Sequence, residues 1–530
     1  MYRRSLVFLL SAVCFIALVD GPRVNAAASD GREQSILGIQ QLIEKKDLTG
    51  ARRLLAESIK NFPNDAGFDN LLGVIEAEEN HYAAAEKAFE VAIQRDSKLT
   101  NAYLNLGRLY QENQGQDSDA LAKARKVYEQ LISYDPANRE ANYQSASLYL
   151  QNGKYQESLL HLSRLPADTR RSAQALSIEC ADYAGLADRQ RADQIALRMM
   201  KATDLSEDDV SVIAPFLHGA NRDDITIMLL EKLQEGQPLS PSLQHSLGLA
   251  YEATGKLSEA RSTLERYVTH GNLSVPTLIE LARVAHEQKD YRGSLGYLAH
   301  ARDLEPNNAP VHYSFGMVCL DLELIAEARN SFEKAVTLQP DNASYNYAMG
   351  SVSALSRDPS DAIPYFEEYL KLKPNDARGK LALGAALFRA KDYDAAIPWL
   401  TEAAHNSDTA AAGHYYLGSL ALQESRLDDA VTELQLAVRE NPNYTDALAE
   451  LGHYYLLRKN YSESETQLRR ALEIEPDHFS ANFYLLTLYT RTSDPRREAQ
   501  AKRYDELQKL REQKTVEVLR MVEVRPFENP

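Results

Sequence analysis

The 530-residue chain carries 76 carboxylates, twelve histidines and three cysteines, enough for acid–base, metal or thiol chemistry if the spacing allowed it. It does not. No G-x-x-x-x-G-K-[ST], G-x-G-x-x-G or G-x-S-x-G string occurs, so no phosphate cradle and no nucleophile elbow is written in the chain. His286-Glu287-Gln288-Lys289-Asp290 comes nearest to H-E-x-x-H and lacks the second imidazole that would put two ligands on one helix face. The carboxylates are spread as on the solvated faces of helices, where a working acid–base pair has no distinct pattern. Cys180 and Cys319 lie inside predicted helices and read as small buried apolar residues, not as a disulfide. No catalytic, cofactor-binding or metal-ligating residue is assigned, and an enzyme is not expected. What remains is recognition chemistry. Tyr313, Tyr347, Tyr415 and Phe483 are spaced by multiples of 34 residues, and rings in a row suit stacking and amphipathic contact.

The elements that carry these rings repeat. The stretch Ala309 to Asn342 sets a unit of 34 places, with Gly316 at place 8, Ala328 at place 20, Phe332 at place 24, Ala335 at place 27 and Pro340 at place 32. Two amphipathic helices fit, about 310–322 and 325–338. Small residues at 8, 20 and 27 let the helices approach closely, and Phe332 fills the gap a small neighbour leaves. Place 8 runs Ile39, Gly73, Gly107, Ala146, Cys180, Ala214, Gly248, Ala282, Gly316, Gly350, Gly384, Gly418, Gly452 and Leu486, always 34 apart except for 39 between Gly107 and Ala146. Fourteen units therefore share one frame, with a five-residue insertion near Asn113 to Ser118. Place 20 is Ala or Ser in twelve of the fourteen, which rules out coincidence.

The spacing L-G-x-x-Y…A-x-x-x-F…A…P, as in Leu106-Gly107-Arg108-Leu109-Tyr110 and Leu247-Gly248-Leu249-Ala250-Tyr251, resembles the tetratricopeptide repeat over about residues 32–512. The resemblance implies an all-α tetratricopeptide-like α-solenoid of about 14 helix-turn-helix repeats forming a right-handed superhelix, with the first helix of each pair lining the concave face. It further implies that places 2, 5, 9, 12 and 13 point into the groove. The candidate partner-binding residues are then His245, Tyr313, Tyr347, Tyr415 and Phe483 at place 5, with Arg283, His286, Met317, Phe388, Arg389, His453 and Arg491 beside them. Aromatics with Arg suit an extended protein or peptide partner, or a polysaccharide stacking on ring faces. The competing expectation is that the rings pack between helices and show only their edges. Two specialised grooves lack their residues in the regular repeats. A carboxylate clamp resembles Lys at place 5 with Asn at place 9, and an asparagine ladder needs Asn at place 6, where Ser246, Glu280, Ser314, Ala348, Ala382, Tyr416, Glu450 and Tyr484 stand.

The formal net charge of −17 speaks against a nucleic-acid binder, which needs clustered Lys and Arg. Residues 1–28 read as a signal peptide. Arg3 and Arg4 precede the apolar run Leu6 to Val19, and Ala26-Ala27-Ala28 offers a cleavage site. The run is too short to span a bilayer comfortably. An uncleaved anchor is the alternative. Removing these residues takes the charge to −19 and leaves a soluble chain, exported and placed in a periplasm or other extracytoplasmic space. The organisation expected is 32–138 N-terminal repeats, 139–240 divergent repeats with Pro215 inside a helix, 241–512 regular repeats ending in a charged capping helix, and a tail 513–530. Asn272, Asn342, Asn443 and Asn460 head N-x-[ST] triplets, but at turns where Asn serves as a cap anyway. The function expected is a non-enzymatic scaffold or adaptor in envelope assembly, secretion or polysaccharide export. A glycan-acting enzyme and a membrane-tethered assembly factor are the alternatives.

Overall fold

A computed structural model describes residues 26–513, apart from 114, 116, 356 and 357. The signal-peptide expectation falls on residues 1–25, outside these, except for Ala26 to Ala28, which begin the helix Ala26–Glu44. The tail after Gln513 also lies outside them. The described residues form 28 α-helices in fourteen consecutive pairs and two short 3₁₀ turns, with no strand among them. By contacts the chain divides into two compact units between Thr263 and Leu264, a point inside the helix Leu257–Thr269.

The prototype unit folds as its pattern demands, with helices Ala309–Asp321 and Ile325–Leu338. Its lock is place 8 against place 24. A Cβ on Gly316 would sit 2.6 Å from the Phe332 ring, one on Gly73 2.4 Å from Phe89, one on Gly107 2.4 Å from Tyr128 and one on Gly452 2.5 Å from Leu468. Only glycine leaves room for these side chains. In the fifth repeat the sizes are exchanged: place 8 is Cys180 and place 24 is Ala196, both fully buried. Place 20 tolerates Ser because the hydroxyl finds the place-8 carbonyl. Ser158 Oγ donates to Ala146 O at 2.9 Å, Ser294 to Ala282 at 2.7 Å and Ser464 to Gly452 at 2.8 Å. A buried hydroxyl without such a partner would be destabilising.

The turn between paired helices holds a residue with positive φ at place 15, from Lys46 (59°) through Lys289 (62°) and Glu323 (60°) to Ser493 (53°). Glycine takes this place at Gly153 and Gly255, and side-chain-bearing residues take most of the others. Caps start many helices. Asn308 accepts from Val311 N, and Asn342 and Asn460, both in N-x-[ST] triplets, accept from Tyr345 N and Glu463 N.

Repeats four to six keep the pairing despite their departures. Arg139–Gln151 precedes a short Tyr155–Ser163, a 3₁₀ turn spans Thr169–Arg171, and Pro215 sits exposed in Glu207–Gly219. The last helix, Arg497–Gln513, is charged and closes the stack. Arg496, just before it, pairs with Glu465 at 2.6 Å, and Arg503 pairs with Asp477. Within each unit, first helices of neighbouring repeats pack against one another, as Ala66–Glu78 does on Thr100–Glu112 and Thr445–Leu457 on Phe479–Arg491. Second helices do so far less. The first helices therefore form the inner side of each unit.

Candidate functional site

The twelve expected groove residues split into three groups. Tyr313 and Tyr347 are corrected: each is 1% exposed and belongs to the core. Tyr313 packs on Phe332 and on Tyr345 of the next repeat, at 5.8 and 5.0 Å between ring centroids. Tyr347 packs on Phe366 and Tyr369, at 5.6 and 5.1 Å. The reason is local. Place 27, usually Ala, is Tyr369 in this repeat, and Gly379 makes room for it. Inward rings here complete the interface between repeats, and no partner reaches them.

A second group gathers into two ring clusters in the unit from Leu264 onward. In the first, Phe388 meets Tyr416 and Tyr393 at 5.4 and 5.7 Å, and Tyr415 meets Tyr416 and Tyr444 at 5.0 and 5.2 Å. Arg389 Nη2 lies 3.5 Å from the Tyr416 hydroxyl. Phe388, Arg389 and Tyr415 are half-buried, with faces left to solvent. In the second, His453 stacks on Tyr484 at 4.3 Å with 9° between planes. Glu450 ties the two together, 3.2 Å from His453 Nδ1 and 3.1 Å from Tyr484 Oη. Burial, with the Glu450 carboxylate second, pushes the Tyr484 phenol well above its ordinary range, so it stays a hydrogen-bond donor. Phe483 is 44% exposed beside Tyr484 and Tyr504, because only the last helix follows it. Arg491, exposed, directs Nη1 toward Leu456 O at 3.4 Å.

The third group is scattered. His286 Nε2 pairs with Asp321 at 2.8 Å across one repeat, and its ring meets Tyr291 at 5.2 Å. Arg283 is exposed, and Met317 and His245 are half-buried. His245 lies in the unit before Leu264.

Position-by-position reading missed Tyr416, Tyr484, Tyr444 and Tyr504, and it missed the inner face of the first repeats. There Ile36, Gln40 and Ile43 share one face of the first helix with Leu37, which is 39% exposed. Asn105 Nδ2 donates to Asn70 Oδ1 at 3.0 Å, and Gln111 Nε2 donates to Gln144 Oε1 at 3.1 Å. These amides link consecutive first helices. The signal is in the sequence, since place 6 is Asn105 and Gln144 in repeats three and four, whereas the regular later repeats carry no amide there. Among the described residues, Glu76, Glu79 and His81 are the one group close enough to hold a metal. Arg52 already pairs with both carboxylates, at 2.7 Å to Glu76, and draws the Glu76 pKa down. The group is an ion-pair network centred on a guanidinium.

Family models described as tetratricopeptide repeat match residues 41–99 and 347–411, 116–179 and 421–487, and 309–342, together more than half of the chain. The chain belongs to the tetratricopeptide repeat family. Among solved structures, the Cut9–Hcn1 hetero-tetramer of the APC/C is 17% identical, with 87% of this chain and 84% of that chain covered and a TM-score of 0.31. Naa15/Naa10 bound to HypK is 13% identical over 90% and 100%, with a TM-score of 0.32, and yeast Tom70 is 16% identical over 83% and 99%, also at 0.32. No curated protein matches. The tetratricopeptide repeat fold supports a protein–protein interaction scaffold, and its helix pairs here supply the surface for one.

Proposed function

We propose that this tetratricopeptide repeat protein is a non-enzymatic scaffold that holds an extended segment of a partner protein on its first-helix face. The observation that carries the reading is the pair of half-open ring clusters, Phe388–Tyr415–Tyr416 and His453–Tyr484–Phe483. Each combines an aromatic surface with a fixed polar group, Arg389 in one and Glu450 in the other. Rings lose little conformational freedom on binding and favour anchoring contacts. Several such contacts along one chain add when the ligand is continuous. The setting we propose is extracytoplasmic, in envelope assembly, secretion or polysaccharide export. What supports it is the charged start, short apolar run and Ala26-Ala27-Ala28 of the sequence.

Crosslinking in intact cells, with partners identified by mass spectrometry, tests the scaffold. The triple variant Phe388→Ser, Tyr415→Ser, Phe483→Ser is expected to lose crosslinked partners while keeping its helical circular dichroism and melting temperature within a few degrees. A variant that folds and retains every partner overturns the reading. Turnover by the purified chain that disappears when Glu450 is changed would favour the enzyme instead. N-terminal sequencing of the protein from cells tests the setting: a start near Ala27 to Ser29 is expected, and a retained Met1 removes the proposed export.

A further inference from the structure

The first three repeats carry a surface that the ring clusters do not explain. Its centre is apolar. Leu37 is exposed, and Ile36, Ile43, Val74 and Leu104 are half-buried on the first helices of successive repeats. Beside it run the carboxamides: Gln40, the Asn70–Asn105 pair and the Gln111–Gln144 pair. The Gln40 side-chain carbonyl is shielded from water and has no hydrogen-bond donor. Along one edge, at place 13, stand Glu44, Glu78 and Glu112, all exposed and 34 residues apart. Glu78 and Glu112 sense each other. Although the Glu112 residue reaches solvent, partial desolvation of its carboxyl holds it above its ordinary range, with the Arg108 charge opposing and the Glu78 charge adding a smaller push upward. Lys46 pairs with Glu78 at 2.6 Å, while Glu44 and Glu112 have no ion-pair partner among the described residues.

Like charges repeated along one edge are unfavourable unless something compensates them. An apolar strip beside them loses its contact with water when it is covered. Carboxamides offer both a donor and an acceptor, the complement of a peptide backbone. We infer that the inner face of repeats one to three binds an extended protein segment in which Lys or Arg recurs at about every third residue, with large apolar residues between. The cations lie along Glu44, Glu78 and Glu112, and the apolar side chains cover Leu37, Ile36 and Leu104. A polyproline-II-like chain advances about 3.1 Å per residue with three residues per turn, and neighbouring helices stand about 10 Å apart, so roughly three residues pass each repeat and every third side chain returns to the same edge. This inference rests on the scaffold reading and assigns it a second surface and the chemistry of its occupant.

The test uses the full chain and two fluorescent peptides of about ten residues, one repeating Lys-Leu-Leu and the other Glu-Leu-Leu. Anisotropy is expected to show the Lys peptide binding at least tenfold tighter than the Glu peptide. The difference should shrink severalfold between about 0.05 and 0.5 M salt as screening sets in. Glu44→Gln, Glu78→Gln and Glu112→Gln together should weaken the Lys peptide about tenfold, and Leu37→Ser alone should weaken it severalfold at any salt. The ring-cluster variant should leave it unchanged. Equal binding of both peptides, or an undiminished affinity in the folded triple Gln variant, overturns the inference. If the Lys peptide fails to bind while the ring-cluster variant still loses its crosslinks, the scaffold stands and only this surface falls.

Discussion

Gly316 and Asp182 show how much can depend on one side chain. Replacing Gly316 with Ala brings about 1 kcal/mol of helix propensity. It also sets a Cβ 2.6 Å from the Phe332 ring, and overpacking of that kind costs about 1–3 kcal/mol. The second effect should win. Gly316→Ala is expected to lower stability by about 1–2 kcal/mol in urea denaturation, and Phe332→Leu in the same chain should recover part of it. Asp182 is fully buried, and neither carboxylate oxygen has a donor in hydrogen-bond geometry; the nearby Ser158 hydroxyl, which donates to Ala146 O, only partly offsets the burial. Burial pushes its pKa up to about 8. An unfolded Asp ionises near about 3.9, so between the two values the native state keeps a proton that the unfolded chain has lost. Its contribution is greatest below the lower value, falls as pH rises and levels off above the upper one. Asp182→Asn should therefore gain stability relative to the parent as pH rises from 5 to 8. Melting temperatures across that range check it, and parallel curves would refute it.

At the scale of the element, the turns are the telling feature. Positive φ at a residue with a side chain costs roughly 1–2 kcal/mol, and glycine gives back about half of the relief through its looser unfolded state. Lys289→Gly and Glu323→Gly, at φ of 62° and 60°, should each raise stability by about 0.5–1 kcal/mol, read from urea midpoints. An unchanged or lower midpoint would mean that the side chains themselves support the turn. The helix pairs were legible in the sequence because their signals are local: Gly at place 8, Ala or Ser at place 20 and a large residue at place 24 all lie within one unit. The exposure of place 5 was not legible. Tyr313, Tyr347, Tyr415 and Phe483 share a register, yet Tyr345 and Tyr369 bury the first two while Phe483 stays open. The size of a residue elsewhere in the repeat, or in the next one, decides the outcome, and no single column of the pattern contains it.

At the scale of the molecule, stacked repeats gain stability chiefly from their neighbours, so opening is a local event. Removing a whole ring from inside the stack should show this. Tyr347→Ala, a core truncation of about 3–5 kcal/mol, is expected to raise amide exchange first in residues 343–389 and to leave 66–112 protected. Uniform loss of protection would mean that the solenoid unfolds as one body. The same variant is a poor probe of binding, because it damages the surface it was meant to test.

Cys180 and Cys319 are both fully buried, one in each compact unit. Burial pushes their pKa values up to about 12 and about 11, so at neutral pH each is a protonated thiol and a poor nucleophile. The consequence is analytical. With Cys14 absent or already blocked, an electrophilic dye can react only after the fifth or the ninth repeat has opened. The chain thus carries two internal clocks, and the ratio of labelling at the two sites under increasing urea reads out which unit yields first.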